Sequence, residues 1–182
     1  MVLVYEPRID LPRVRLVTSY GPIVIDLFPN AAPATVENFL RYVHDRFYDS
    51  TLFHRVVNDF IIQGGGFTAG LIQKATRAPI KNEATNGLRN ERGTVAMARL
   101  PDDPHSATAQ FFINTRDNDV LDHRTQDLRG WGYCVFGTVA EGMDAVDQID
   151  GIPTMTRSGH RHNPVTDILI ESVLEVEPRQ TA

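Results

Sequence analysis

The chain has 182 residues, of which 42% are hydrophobic, and a net charge of −5. This length suits one compact domain, and the apolar content is enough for a real core, which argues against wholesale disorder. The positive residues are nearly all arginines and are scattered along the chain, so nucleic acid is not expected as a partner.

Three further features bound the location and the chemistry of the protein. The single cysteine, Cys134, excludes an intrachain disulfide framework. No run approaches the roughly 18 apolar residues of a membrane span, so no membrane association is expected. The first residues lack the basic and apolar regions of a secretory signal, and a cytoplasmic protein is therefore expected.

The N-terminal part of the chain predicts two strands and then a helix. Residues 14–28 contain two β-rich runs around the turn-forming Tyr20-Gly21-Pro22. From Pro33 onward the apolar residues recur at helical spacing, and a proline suits the first turn of a helix. One amphipathic helix is therefore predicted over approximately 33–47.

Strands return after this helix. They are predicted over residues 51–57 and 60–63, separated by the turn-forming pair Asn58-Asp59. Residues 64–93 then form a long polar stretch without a clean period. Loops of that length are uncommon in a compact domain and are often functional.

The C-terminal half continues with short elements. Strands are predicted over residues 94–100, 110–115 and 133–140, and a short helix over 141–151. In the last segment alternation predicts a strand with one face formed by Ile168, Ile170, Leu174 and Val176.

The tally of about eight strands and two helices, with no linker and no repeat, indicates the fold class. Two helices cannot cover both faces of such a sheet, and they do not alternate with the strands. A doubly wound fold is therefore disfavoured, and an antiparallel barrel or sandwich with helices at its ends is favoured.

Nucleophile and metal patterns are weak in this sequence. Cys134 lies in the apolar "WGYCVFG" without a basic neighbour, which predicts a buried, inert thiol. Ser106 follows His105, but no G-x-S-x-G elbow surrounds it, so a hydrolase triad has little support. His160 and His162 lack a third ligand at convincing spacing and are expected in a solvated loop. No metal site is expected.

The glycines at positions 64–66 fit a structural explanation better than a nucleotide site. They match neither the G-x-G-x-x-G pattern nor the P-loop, whose lysine is absent. They are expected at the end of a strand, where the backbone needs an unusual φ or a close approach.

An arginine in the apolar strand "TLFHRVV" needs an explanation, because arginine is almost never fully buried without a partner. Alternation predicts that Phe53, Arg55 and Val57 share one face. The pattern leaves two interpretations open, a barrel core whose polar members face solvent and a binding groove. Either would include the cationic, amide and aromatic residues Arg55, Gln63, Gln110, Phe53, Phe60, Phe111 and Phe112.

Several long motifs together resemble one family. They are "FHRVVNDFIIQGGGFT", "NEATNGLRNERGTVAMAR", "PHSATAQFFIN" and "GWGYCVFGTVAEGMDAVDQI". In this order they resemble the cyclophilin-type peptidyl-prolyl cis/trans isomerases of the bacterial kind, from about Val14 to Val176. The resemblance implies a closed eight-stranded antiparallel β-barrel capped by two α-helices. The domain is expected over residues 14–177, with an N-terminal extension over 1–13 and a C-terminal tail over 178–182.

The resemblance also implies site residues. The arginine of its F-H-R motif falls on Arg55 and the glutamine before the glycines on Gln63, which implies that they form the catalytic pair. The expected substrate-binding positions are Phe60, Ile61, Ala98, Arg99, Gln110, Phe112, Leu121 and Tyr133.

This sequence departs from the family pattern at several of these positions. Ile61 replaces a usual methionine, Arg99 a usual asparagine and Tyr133 a histidine. Val120 occupies a position often held by tryptophan, so cyclosporin binding is expected to be weak. Trp131 is not assigned that tryptophan's role.

The function that the resemblance implies is isomerisation of X-Pro bonds, in support of protein folding. Its expected partners are proline-containing peptides and unfolded or flexible protein segments. No cofactor is expected, and the protein is expected to be a monomer. The alternative is a non-catalytic proline-binding or chaperone module on the same fold.

Overall fold

The structure, a computed structural model, describes residues 11–178. Most of the expected N-terminal extension and nearly all of the expected C-terminal tail therefore lie outside the described residues. No helix in the described range is long and apolar enough to cross a membrane.

The first strand begins at Arg13, one residue before the expected domain boundary. The carbonyl of Pro12 accepts a hydrogen bond from the backbone N–H of Leu27. The Arg13 Nε donates to the buried carboxylate of Asp26 at 2.7 Å. Both contacts tie this start of the chain to the neighbouring strand, so residues 12 and 13 belong to the folded domain.

Among residues 11–178 two α-helices are present, as predicted: α1 (Pro33–His44) and α2 (Met143–Asp150). The N-terminus of α1 has no cap from its own chain segment. Instead, the carboxylate of Glu83 accepts hydrogen bonds from the N–H groups of Ala34 and Thr35. The helix ends before residue 47 because Arg46 takes a left-handed conformation, with φ 56°, and turns the chain.

Thirteen strands are present among residues 11–178. They are β1 (Arg13–Thr18), β2 (Gly21–Leu27), β3 (Thr51–Leu52), β4 (Arg55–Val57), β5 (Ile61–Gly64), β6 (Phe67–Thr68), β7 (Ile72–Gln73), β8 (Thr94–Met97), β9 (Phe111–Asn114), β10 (Val135–Glu141), β11 (Thr154–Arg157), β12 (His160–Pro164) and β13 (Leu169–Val176).

Eleven of these strands form one antiparallel sheet. Its order is β4-β5-β9-β8-β10-β2-β1-β13-β3-β6-β7. The expected mainly β architecture with two helices is confirmed. The expected closed barrel of eight strands is not confirmed, because the sheet has eleven strands and has β4 and β7 at its two ends.

The two faces of the sheet bury different residues. One face, together with α1 and α2, forms the main core, which includes Phe39, Val56, Ile62, Phe111 and Ile113. The opposite face of the central strands carries a smaller apolar cluster. This smaller cluster is built from Ile61, Ala96, Phe112 and Val135, with Val57, Phe60, Leu88, Ala98, Leu121 and Tyr133 packed against it.

Two sequence predictions about strand faces are wrong, and each fails at an interruption of a strand. Phe53 lies in the main core with Val56, whereas Val57 packs in the smaller cluster. Phe53 and His54 form a break between β3 and β4, and this break resets the alternation. Phe53 and Arg55 therefore do not share a face.

The second failure is in β13, where a bulge at Glu171 changes the register against β1. Residue Val17 pairs with Ser172, and the next residue, Thr18, pairs with Ile170. Beyond the bulge Val173 is buried and Leu174 is 39% exposed, the reverse of the predicted alternation.

The segment with His160 and His162 is a strand and not the expected loop, although Arg161 and His162 are exposed to solvent as expected. The segment forms β12, which pairs with β11 in a two-stranded sheet. The ring of His160 packs edge-on against Phe67, with ring centroids 5.0 Å apart. An apolar anchor of this kind cannot be recognised from a polar sequence.

Candidate active site

One register row across the sheet brings the central residues of the site together. Arg55 of β4 pairs with Gln63 of β5, Gln63 pairs with Phe112 of β9, and Phe112 pairs with Ala96 of β8. Residues in register on neighbouring strands project from the same face. The row therefore presents a guanidinium, an amide and an aromatic ring side by side.

Arg55 is held by amides rather than by carboxylates. Its Nη1 donates to Gln63 Oε1 at 3.2 Å, and Gln63 Nε2 donates to Gln110 Oε1 at 3.0 Å. Within residues 11–178 Arg55 forms no ion pair. Burial lowers the pKa of Arg55, and the nearby Tyr133 opposes that shift. An arginine remains charged under these conditions, so its charge is available to a ligand.

Gly66 allows this chain of amides to form. A Cβ added at Gly66 would lie 2.5 Å from the Cγ of Gln110. Gly65 has a φ of +84°, and a Cβ there would meet the rings of Tyr48 and Phe111. The expected role of these glycines, close backbone approach at a strand end, is confirmed.

Apolar side chains form a cleft of about 290 Å³ beside Arg55. The ring of Phe112 meets the ring of Tyr133 edge-on, with centroids 5.6 Å apart. The lining residues are Arg55, Phe60, Ile61, Gln63, Ala98, Arg99, Pro101, Phe112, Leu121 and Tyr133. An apolar cleft with a few convergent polar groups is typical of a ligand site.

The structure places almost every expected site residue in this cleft. The exception is Gln110, which lies behind Gln63 and contacts it through the amide hydrogen bond. Pro101 lines the cleft without having been predicted.

Val120 neighbours Leu121 in a short 3-10 helix and is 65% exposed. Trp131 packs instead against His105 and His123.

A buried group of three asparagines joins the walls of the cleft from behind. Asn118 Nδ2 donates to the carbonyl of Phe60 at 2.9 Å and to Asn114 Oδ1 at 2.8 Å. Asn114 Nδ2 donates in turn to Asn90 Oδ1 at 3.1 Å. Asn90 Nδ2 donates to the carbonyl of Leu121 at 3.0 Å.

These three asparagines are not among the site residues predicted from the sequence. Each is almost fully buried, and together they connect the turn at Phe60 and the loop at Asn90 to the end of β9 and the 3-10 helix that follows it. The available signal was weak, because asparagine next to a predicted turn is ordinarily explained by the turn itself. Only the end of "QFFINT", where a polar residue continues an apolar strand, pointed to a buried partner.

The cysteine, histidine and serine considered as possible nucleophiles or bases have structural roles. Burial raises the pKa of the Cys134 thiol to about 11, which confirms an inert cysteine. His105 Nδ1 accepts a hydrogen bond from the N–H of Asn82, and Ser106 Oγ donates to the carbonyl of Asp103, so the two do not form a catalytic pair. Within the described range no group of three or more His, Cys, Asp or Glu side chains is placed to hold a metal ion.

Comparison with known proteins identifies the family to which the chain belongs. The sequence model of the family "Cyclophilin type peptidyl-prolyl cis-trans isomerase/CLD" matches residues 13–175. The chain belongs to this family.

Individual relatives of this cyclophilin are close in sequence. It is 58% identical to "Peptidyl-prolyl cis-trans isomerase B" of Escherichia coli strain K12 over 156 residues, which cover 86% of this chain and 94% of that protein. It is 51% identical to a peptidyl-prolyl cis-trans isomerase of Acinetobacter baylyi over 160 residues, covering 88% and 83% of the two chains.

A solved structure supports the fold of this cyclophilin. The crystal structure of a Cryptosporidium parvum cyclophilin-type isomerase, in the presence of the dipeptide Ala-Pro, matches with a TM-score of 0.73 and 25% identity. The match covers 90% of this chain and 98% of that one. The family match and the relatives identify the chain as a peptidyl-prolyl cis-trans isomerase, a rotamase.

Proposed function

We propose that this cyclophilin isomerises X-Pro peptide bonds in its cleft, with Arg55 as the catalytic residue and Gln63 as the residue that orients it. The observation that carries the proposal is a half-buried guanidinium at the edge of an apolar cleft, bound within residues 11–178 only to the amide of Gln63. The substrates would be proline-containing peptides and flexible segments of other proteins.

The chemistry of the bond explains why one guanidinium suffices. The amide resists rotation by about 18–20 kcal/mol because the nitrogen shares its lone pair with the carbonyl. For X-Pro both isomers are accessible, but they exchange over tens to hundreds of seconds. Faster exchange requires the ring to be held and a donor to be placed where the lone pair localises as the bond twists.

Arg55 meets the second requirement. The guanidinium is permanently charged and donates in a fixed plane. A hydrogen bond to the prolyl nitrogen strengthens as that nitrogen becomes pyramidal, so it stabilises the transition state more than the ground state. The bond from Arg55 to Gln63 occupies one donor and holds the others towards the cleft.

The apolar walls of the cleft meet the first requirement, which is to hold the proline ring. Phe60, Ile61, Phe112 and Leu121 line the cleft and would bury the proline ring. Ala98, Arg99, Gln110 and Tyr133 are proposed to contact the flanking peptide or to support the residues that do so. Each of these roles is carried over from the family motif and is supported by position in or behind the cleft.

The test is turnover by an Arg55→Ala variant on an X-Pro peptide, measured by NMR exchange with substoichiometric protein. We expect kcat/KM to fall about 100-fold, the usual cost of removing one transition-state donor. An Arg55→Lys variant should also lose most activity, because a point charge lacks the planar fork. Arg116, exposed and paired with Asp59, provides the matched control, and Arg116→Ala should turn over normally.

Near-wild-type turnover by a folded Arg55→Ala variant would contradict the assignment of Arg55. The rival from another class, a proline-binding or chaperone module without catalysis, predicts that substoichiometric wild-type protein does not accelerate exchange at all. Both measurements use the same peptide and the same type of NMR exchange experiment.

We also propose that the sheet closes into the expected eight-stranded barrel. β3 and β4 lie in one bent segment, residues 51–57, and β5 and β6 lie in another, residues 61–68. The first segment pairs with β13 at one end and with β5 at the other. When each bent segment counts once, the pairing order returns to its start after eight members.

Three further expectations stay predictions. Weak cyclosporin binding is supported by Val120 in place of an aromatic side chain, and titration of the protein with cyclosporin checks it. A monomer and a cytoplasmic location are the other two. Sedimentation and cell fractionation check them.

A further inference from the structure

Arg99 is fixed in place at the wall of the cleft by neutral groups alone. Its Nε donates to the carbonyl of Gly132 at 3.0 Å, and its Nη1 donates to the carbonyl of Leu100 at 2.9 Å. The guanidinium carbon lies 4.6 Å from the centroid of the Tyr133 ring. These contacts immobilise the guanidinium without neutralising it.

Among the residues that the structure describes, no carboxylate is paired with the positive charge of Arg99. Most described arginines on the surface are paired, for example Arg92 with Asp147 and Arg157 with Asp167. Within residues 11–178 Arg99 takes part in no ion pair, and its Nη2 makes no hydrogen bond. Two donors at the cleft therefore remain unused.

The cleft as a whole is positive on a negative protein. Its charged lining residues in the described range are Arg55 and Arg99, and no Asp or Glu lines it. Asp102 and Asp103 follow in the adjoining turn without lining the cleft, and the Asp103 carboxylate accepts a hydrogen bond from the N–H of His105. The chain carries a net charge of −5, so this local excess of positive charge is not a general property of the surface.

From these contacts we infer that Arg99 selects X-Pro substrates that carry an acidic side chain next to the reacting bond. This inference rests on the proposed function, because it names a substrate class for the same cleft. The free Nη2 of Arg99 can donate to a carboxylate oxygen while the other contacts of the guanidinium stay in place, so binding needs no rearrangement of the side chain. Arg55 would stay committed to the prolyl nitrogen, while Arg99 binds the flanking carboxylate.

The test compares pairs of short X-Pro peptides that differ only by glutamate or glutamine. The varied residue lies immediately before the X-Pro pair, at X, or immediately after the proline. NMR exchange at substoichiometric protein gives kcat/KM for each peptide. At about 20 mM salt we expect the glutamate member of at least one pair to be preferred about threefold, and the preference to shrink at about 500 mM salt.

Variants assign the preference to one side chain. In Arg99→Gln the ratio of the glutamate to the glutamine peptide should fall to about one, whereas Arg99→Lys should retain part of it. Arg41→Gln removes a positive charge of α1 that does not line the cleft, and it should keep the wild-type ratio. Because each ratio is taken within one variant, a change in overall activity does not affect it.

The outcomes separate the two proposals. If the glutamine peptides are not accelerated by the wild-type protein, the proposed function fails. If they are accelerated but no pair shows a glutamate preference, or the preference survives in Arg99→Gln, the inference about Arg99 is wrong and the isomerase assignment stands.

Discussion

At the scale of single residues, the neighbours of Arg55 are as informative as Arg55 itself. His54 precedes it and is buried, with its ring centroid 4.5 Å from that of Phe67 and the two rings tilted by 50°. Its Nδ1 is buried and has no hydrogen-bond partner within the described residues. Burial, and then electrostatic repulsion from His160 and Arg55, lowers the pKa of His54 to about 4.

This shifted pKa predicts acid sensitivity of the fold. The unfolded chain protonates His54 near its ordinary pKa of 6.5, and the folded chain only near 4. Between these values the unfolded state binds more protons, so the free energy of unfolding falls as the pH drops from about 6.5 to about 4. The contribution is up to about 3 kcal/mol. Urea unfolding across this pH range measures it.

A His54→Phe variant should lose this part of the pH dependence while keeping an aromatic ring in contact with Phe67. The exposed His162 provides the comparison, and His162→Gln should unfold with the wild-type pH profile. An unchanged profile in His54→Phe would show that another group carries the acid sensitivity.

At the scale of elements, the cleft depends on contacts between segments that are not strands. The carbonyl of Phe60, in the turn between β4 and β5, accepts from Asn118 at the start of a 3-10 helix. That helix carries Leu121, whose carbonyl accepts from Tyr133 N and from Asn90 Nδ2. Two walls of the cleft are thus held by buried amides.

Replacing one of these amides should loosen the cleft. In Asn118→Leu the carbonyl of Phe60 and Asn114 Oδ1 each lose a donor, at a cost of about 1–3 kcal/mol in unfolding free energy. Because Phe60 is then less well placed, we expect KM for an X-Pro peptide to rise about fivefold, with a smaller change in kcat.

The control removes a similar buried amide away from the cleft. Asn38 in α1 donates to the carbonyl of Thr108, and Asn38→Leu should lower stability with no change in KM. If both variants raise KM equally, the asparagine group has a purely structural role.

At the scale of the whole molecule, the proposed barrel closes where two bent segments cross. The backbone N–H of Gly65 donates to the carbonyl of Leu52, which joins the end of β5 to β3. A Cβ at Gly64 would lie 2.6 Å from that carbonyl oxygen and 3.0 Å from Phe53 Cα. Both contacts are with backbone, which cannot move without separating the segments.

Gly64→Ala should therefore destabilise the protein by about 2 kcal/mol or more in urea unfolding, within the range known for overpacked sites. Gly151, at the end of α2, has an ordinary φ of −79°, and a Cβ there would make only ordinary van der Waals contacts, the nearest at 3.6 Å. Gly151→Ala should change stability little. Equal stability of the two variants would contradict a tight crossing at Gly64.

The sequence alone determined much of this protein. Local patterns located both helices and most strands, because helical spacing, alternation and turn residues act over short distances. The motifs around Arg55, Gln63 and Phe112 identified the family, and the residues that they assign to the site, Gln110 apart, line one cleft.

Only the tertiary structure decided the rest. The break at Phe53 and His54 and the bulge at Glu171 reverse the faces that alternation predicts, because interruptions depend on the partner strand. Cross-strand register sets Arg55 beside Gln63 and Phe112. The unpaired charge of Arg99 and the buried asparagines likewise arise from contacts between distant segments, and a sequence does not show which polar groups will find partners.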